Sequence, residues 1–483
     1  MRIRKQLMAA VLASLALCGC RQSESGPIVV SAVGGPPQLA NPNLAPLDTP
    51  AAFLAEAVAQ GLVRFDAAGQ IEPALAQSWI VSDDGLRYTF RLARTEWANG
   101  DPVTAEQVEA RLRATLSRSS KNPLKPLLGA VVDVQAMTET VLEIALKAPR
   151  PNLLQLLAQP EMAIIRRGQG TGPYRLEKQA DGSVLLSLPQ EEDEEAQTSP
   201  EQIIVLRGEP AAMAVARFKN RSADLVTGGT AGELPIVRAA ELPGGALRFD
   251  PASGLFGLVF IQNSGPAADP EVRRALSMAI DRPALVAALG VPDLLPRESV
   301  LPSGIEELPN PSLPAWSADP LPMRRQAAAR IISEMADEAP VRLRVAVPDA
   351  PGYRLVFAHL RRDWRLIGIM ADAVPLTAEA DLRLVDAVST ANLATWYLRR
   401  FSCGASIVCS PEADGMLEGA RSAQTGAERQ ARLAEADRLL AAVTPFIPLT
   451  APVRWSLVSR RLTGYQANPF ARHFVGSLLA ARR

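Results

Sequence analysis

Histidine and cysteine are scarce in this chain, with 2 His and 4 Cys among 483 residues. That excludes a His-rich metal centre and a zinc-finger array. An excess of one charge is also missing: 51 Lys and Arg face 51 Asp and Glu, so nothing marks a nucleic-acid surface. Aromatic residues reach only 5%. After the first twenty residues no run approaches the roughly 18 apolar residues of a membrane-spanning helix. There is no Gly-x-Ser-x-Gly elbow, no phosphate loop ending in Gly-Lys-Ser/Thr and no His-Glu-x-x-His. His359 and His473 lie far apart and read as packed or surface residues. No carboxylate pair stands in an apolar setting that would split its pKa values. These absences shift the weight from an enzyme towards a binding protein, with no catalytic residue, cofactor or metal expected.

What remains is a chain that is 48% apolar with 40 Pro. It can bury a large core, and its length suits two or three packed units of a loop-rich mixed α/β protein. Arg2, Arg4 and Lys5 precede the apolar stretch Leu7–Leu17, the pattern of a secretory signal. The stretch closes in Leu17-Cys18-Gly19-Cys20, which resembles a bacterial lipobox. That resemblance implies a signal over residues 1–19, a diacylated Cys20 as the new N-terminus, and a tether over 20–27. A plain signal with incidental cysteines is the other reading. Loss of the signal leaves three more acids than bases. A secreted setting permits a disulfide between Cys403 and Cys409, and two reduced thiols in a buried turn are the alternative.

Ile28–Val33 reads as a first strand, followed by a Gly/Pro/Asn-rich loop from Gly34-Gly35 to Pro50. Residues 51–62 read as a helix. Leu86, Tyr88, Phe90 and Leu92 alternate with Arg87, Thr89 and Arg91, as in a half-buried strand. Thr104 and Gln107 have capping-box spacing ahead of a helix, as do Thr425 and Glu428. Asp181-Gly182 marks a hairpin, and Glu191–Glu195 a solvated acidic loop. The apolar run 254–261 suits a strand buried on both faces. Asp269-Pro270-Glu271 starts another helix.

Several stretches in order are similar to the extracellular solute-binding proteins of family 5, the oligopeptide-, dipeptide- and nickel-binding components of ABC importers. They are Glu72-Pro73-Ala74-Leu75-Ala76-Gln77-Ser78-Trp79, Ser82-Asp83-Asp84-Gly85 through Leu92, and Asn99-Gly100-Asp101-Pro102 through Val108. Gly170-Thr171-Gly172-Pro173-Tyr174 and the segment from Asp269-Pro270-Glu271 to Asp281-Arg282 follow. The resemblance implies an α/β, two-lobed periplasmic-binding-protein-like fold (type II, cluster C-like). Lobe I would comprise residues 28–50, 165–250 and 445–483, with 51–164 as an extra subdomain beside it. Lobe II would be 251–444, with crossings near 248–260 and 445–453.

The implied function is a monomeric, lipid-anchored receptor in the periplasm or cell envelope. It would capture a small, peptide-like solute between the lobes and deliver it to an ABC permease. The alternatives are an envelope sensor or interaction protein on the same fold, or a binder of a non-peptide solute. Peptide-binding members place a Trp, an Asp and an Asp-Pro in lobe II, the Asp meeting the peptide's α-amino group. Residues 381–390 here lack the Trp and the Asp-Pro. Asp386 is the available substitute, an exposed loop carboxylate being the competing reading. Trp396 and Tyr397 would stack on a ligand or pack in the core. Gly34 and Gly35 would let backbone approach the ligand or simply form a turn.

Overall fold

The computed structural model describes residues 26–97, 99–189, 203–335 and 341–478. The expected signal, Cys20 and the acidic run lie outside these residues. Two large mixed sheets organise the chain. The first has seven strands in the order Leu247–Phe249, Arg454–Val458, Leu225–Thr230, Ile28–Val33, Ile204–Glu209, Val184–Ser187 and Arg175–Lys178. Its centre is parallel, Ile28–Val33 pairing in parallel with both neighbours. Its edges are antiparallel, one of them the Asp181-Gly182 hairpin. The second sheet has five strands in the order Ile369–Val374, Val341–Ala346, Leu382–Val388, Gly254–Phe260 and Phe446–Thr450. Gly254–Phe260 lies in its interior and is buried almost throughout, as a continuous apolar run requires.

These sheets are the cores of two lobes, and the chain passes between them twice, at 250–253 and 451–453. The strand Phe446–Thr450 belongs to the second sheet although its successor, Arg454–Val458, belongs to the first. A smaller antiparallel sheet, ordered Ala76–Val81, Arg87–Leu92, Val141–Leu146 and Val131–Thr138, forms a separate four-stranded unit. It keeps its own core of Tyr88, Phe90, Leu92, Trp97, Val108, Leu142 and Ile144. The alternation read from residues 86–92 is the cause: Tyr88, Phe90 and Leu92 face that core.

Helix ends follow local chemistry. Asp269 accepts from the Glu271 amide at the start of Pro270–Met278, and Pro270 loses no hydrogen bond there. Thr104 and Gln107 form the capping box of Ala105–Leu116, and Gln107 also accepts from the Trp97 indole. The first helix is Thr49–Val58 rather than 51–62. Asp48 caps it from the loop, its carboxylate accepting from Ala51. Its far end stops early because 59–62 turns into the strand Val63–Phe65. Arg282 is 1% exposed and donates to the Ser277 and Pro448 carbonyls and the Ser277 hydroxyl. It thereby fastens the Pro270–Met278 helix to the second sheet.

Candidate ligand site between the lobes

The lobes meet at their crossings through a polar junction. Asp386, on Leu382–Val388, accepts from Arg454 of the first sheet at 2.7 Å and from the Tyr353 hydroxyl at 2.8 Å. Thr230 of the first lobe lies 3.0 Å from that hydroxyl and donates to Glu233 at 2.6 Å. The carboxylate and guanidinium are only 7% and 15% exposed. Burial, then the charge of Asp386, pushes the Tyr353 phenol far above its ordinary value. Beside this junction the Gly352 amide donates to the Gly232 carbonyl at 2.7 Å. A Cβ on Gly352 would stand 1.8 Å from the Ala231 carbonyl oxygen, so only glycine permits this approach.

Asp386 is therefore a strand residue engaged on both oxygens, and not an exposed loop carboxylate. Gly34 and Gly35 are used by the loop itself. The Gly35 amide donates to the Asp48 carboxylate at 3.2 Å, the group that caps Thr49–Val58. A Cβ on Gly34 would reach 2.6 Å from the Pro50 ring. Tyr397 is fully enclosed, its hydroxyl 2.7 Å from that of Ser253. Trp396 packs edge-on against it, and the Arg400 guanidinium covers the indole at 4.1 Å. Cys403 and Cys409 are joined in a disulfide with Cα atoms 5.0 Å apart, within ordinary geometry.

A second meeting place lies between the four-stranded unit and the second lobe. Leu127 packs against the cores of both, and the Gln159 amide donates to the Thr390 carbonyl at 3.1 Å. Between them is a small cleft, partly open to solvent, bordered by Arg150 and Leu156 on one side and Trp396, Arg399 and Arg421 on the other. The Trp396 indole nitrogen is buried without a hydrogen-bond partner. Trp396, expected either to stack on a ligand or to pack in the core, is almost fully buried at the edge of this cleft; the arginines, 249 and 22 positions apart along the chain, were not singled out by the sequence. The adjacent Arg399-Arg400 after an apolar aromatic run was the one local signal.

Two α/β lobes joined by two crossing segments define the class: a two-lobed binding protein of the periplasmic type. The chain belongs to the bacterial extracellular solute-binding proteins, family 5, whose model matches residues 70–386. Members of this family are binding components of transporters and not enzymes. The nickel-binding periplasmic protein of Escherichia coli K12 is 33% identical over 157 residues, 28% of this chain and 30% of that protein. The glutathione-binding protein GsiB of Escherichia coli O1:K1 is 28% identical over 306 residues, 57% of this chain and 56% of that protein. The chain thus spans about half or less of the length of these relatives. Haemophilus influenzae OppA, solved in complex with RPPGFSPFR, superposes with a TM-score of 0.81. At 18% identity, covering 94% of this chain and 99% of OppA, that likeness concerns the fold.

Proposed function

We propose that this chain is the solute receptor of an ABC importer, closing two lobes over a small, peptide-like solute and presenting the closed form to a permease. The observation carrying this reading is the polar junction of Asp386, Arg454, Tyr353 and Thr230. It ties one lobe to the other at the two crossings, where a hinge needs strength, and leaves the neighbouring cleft as the place for ligand. The lobe I and lobe II boundaries given above serve as the working division, with 51–164 moving with lobe I. Since the Asp386 oxygens are taken, solute contacts are assigned to the cleft beside Trp396. Anchoring through Cys20 accompanies the receptor role, as a diacylated terminus holds it near its permease.

The test is small-angle scattering of the mature protein from its own host, before and after removal of co-purifying solute identified by native mass spectrometry. A radius of gyration that rises on removal and falls on re-addition is expected. No co-purifying solute and no change would defeat the reading. For the anchor, Cys20→Ser should be released from membranes; continued attachment rules the lipid out.

A further inference from the structure

We infer that the cleft between the four-stranded unit and the second lobe binds an anionic group, a carboxylate or its equivalent, through Arg150, Arg399 and Arg421, so that the solute is recognised by negative charge. This rests on the receptor reading above and names its substrate class.

Three observations carry it. First, the cleft gathers like charge from both sides. Arg150 comes from the turn after Val141–Leu146, whereas Arg399 and Arg421 flank the helix-rich end of the second lobe. Second, the local acids do not balance them. Glu307 is held by Arg429 at 2.7 Å. Glu418 is shared, 3.2 Å from Arg421 and 4.0 Å from Arg399, and is 65% exposed. Asp414 accepts from the Cys403 amide through one oxygen and keeps the other buried without a partner, so three acids face the four cations Arg150, Arg399, Arg421 and Arg429. Arg150 has no ion pair among the described residues. Third, donors are left over: the Nε atoms of Arg150, Arg399 and Arg421 and the indole Nε1 of Trp396 are buried without partners. Trp396 is 2% exposed. A buried N–H lacking an acceptor is costly, and several around one cleft are a reason for an acceptor to enter it.

The electrostatics point the same way. Burial, then repulsion from Arg399, Arg421 and Arg429, pulls the Arg150 guanidinium down to about 10, so it remains charged at neutral pH. Bringing the four-stranded unit onto the second lobe therefore sets cation against cation. An anion between them converts that repulsion into attraction, accepts from the stranded donors, and so binds the closed arrangement better than the open one. A free amino group would do the reverse. The Cys403–Cys409 disulfide lies between Arg399 and the Pro411–Ser422 helix that carries Arg421, and it limits how far the two can separate.

The test compares three probes of one size by calorimetry at low and moderate salt. N-acetyl-dialanine carries a carboxylate and no amine, dialanine amide an amine and no carboxylate, and N-acetyl-dialanine amide neither. Only the carboxylate probe should bind, more weakly as salt rises. Arg150→Met and Arg421→Met should each weaken it at least tenfold, while Arg150→Lys retains most of the affinity. If Arg150→Met does not fold, Arg421→Met reads the same contact. Equal or tighter binding of the amine or neutral probe overturns the inference and leaves the receptor reading standing. Unchanged carboxylate binding in the folded Met variants also overturns it. If no probe binds, the inference falls, and host-derived solute with the scattering experiment judges the receptor reading separately.

Discussion

Two polar regions join the parts of this molecule, and they are built on opposite terms. At the crossings, Asp386 meets Arg454 and Tyr353, Thr230 meets Glu233, and each charge has a partner. In the cleft beside Trp396, arginines face one another and several buried donors have no acceptor. A satisfied network is complete without a ligand and serves to hold the lobes. An unsatisfied one is complete only when something is added. By this criterion the conspicuous carboxylate, Asp386, is structural, and the binding chemistry belongs to residues that look unremarkable in sequence.

The largest test attacks the satisfied side. Asp386→Ala leaves the Arg454 guanidinium buried and unpaired, which should cost about 3–5 kcal/mol in urea unfolding. Combining it with Arg454→Met should restore a substantial part of that loss. A cost below about 0.5 kcal/mol would show the junction to be a surface pair of little consequence. If the contrast is right, binding of N-acetyl-dialanine to whatever remains folded should change little.

A third site asks whether an unbalanced buried charge is found only in the cleft. Glu56 lies on Thr49–Val58 beside Arg64 and Arg472. Burial pushes its carboxyl up to about 7, with Glu161 adding to the rise and Arg472 and His473 opposing it. The native state therefore holds a proton that the unfolded chain releases near 4.5. Below that pH the two states are equally protonated and nothing is lost. As pH rises towards 7 the unfolded chain ionises first, so stability falls, and above about 7 the full penalty applies. Glu56→Gln should therefore be more stable than the parent at pH 8 by about 3 kcal/mol. The two should converge near pH 4. Parallel pH profiles would show that Glu56 ionises normally.

The disulfide gives a smaller effect with a sharper location. Closing so short a loop contributes about 2 kcal/mol by chain entropy, so Cys403→Ser with Cys409→Ser should lower stability by roughly that amount. Because the bridge lies between the elements bearing Arg399 and Arg421, carboxylate affinity should fall as well. The Asp386–Arg454 junction should be untouched. Unchanged affinity would separate the bridge from the cleft.

Much of the fold was legible because it is written locally. The alternation over 86–92, the cap at Asp269, the box at Thr104 and the Asp181-Gly182 turn each act within a few residues. The candidate site was not, because its parts come together only through packing. Arg150 ends one short turn, Arg399 follows a buried aromatic pair and Arg421 closes a helix. Only Arg399 has a distinguishing neighbour, the adjacent Arg400 after that pair. Asp386 misled for the converse reason: its partners Arg454 and Tyr353 are supplied by other elements, so its satisfaction is invisible along the chain. The helix expected at 51–62 began earlier, at Thr49, because Asp48 caps it, and ended earlier, at Val58.

The smallest expected effect probes the boundary between the two regions. The Gln159 amide reaches from the end of the four-stranded unit to the Thr390 carbonyl of the second lobe. It is a neutral contact across the same seam that the arginines line, and Gln159 is 2% exposed. Gln159→Leu keeps the volume and removes one hydrogen bond, worth about 1 kcal/mol. Were this bond part of the fold alone, the loss would appear in urea unfolding and affinity would not move. If it instead helps hold the seam closed around an anion, a closed form favoured by about 1 kcal/mol less is populated roughly fivefold less against the open one. Affinity for N-acetyl-dialanine then falls by up to that factor, while the radius of gyration without ligand rises. The second outcome is expected, since the bond joins surfaces whose arginines otherwise repel.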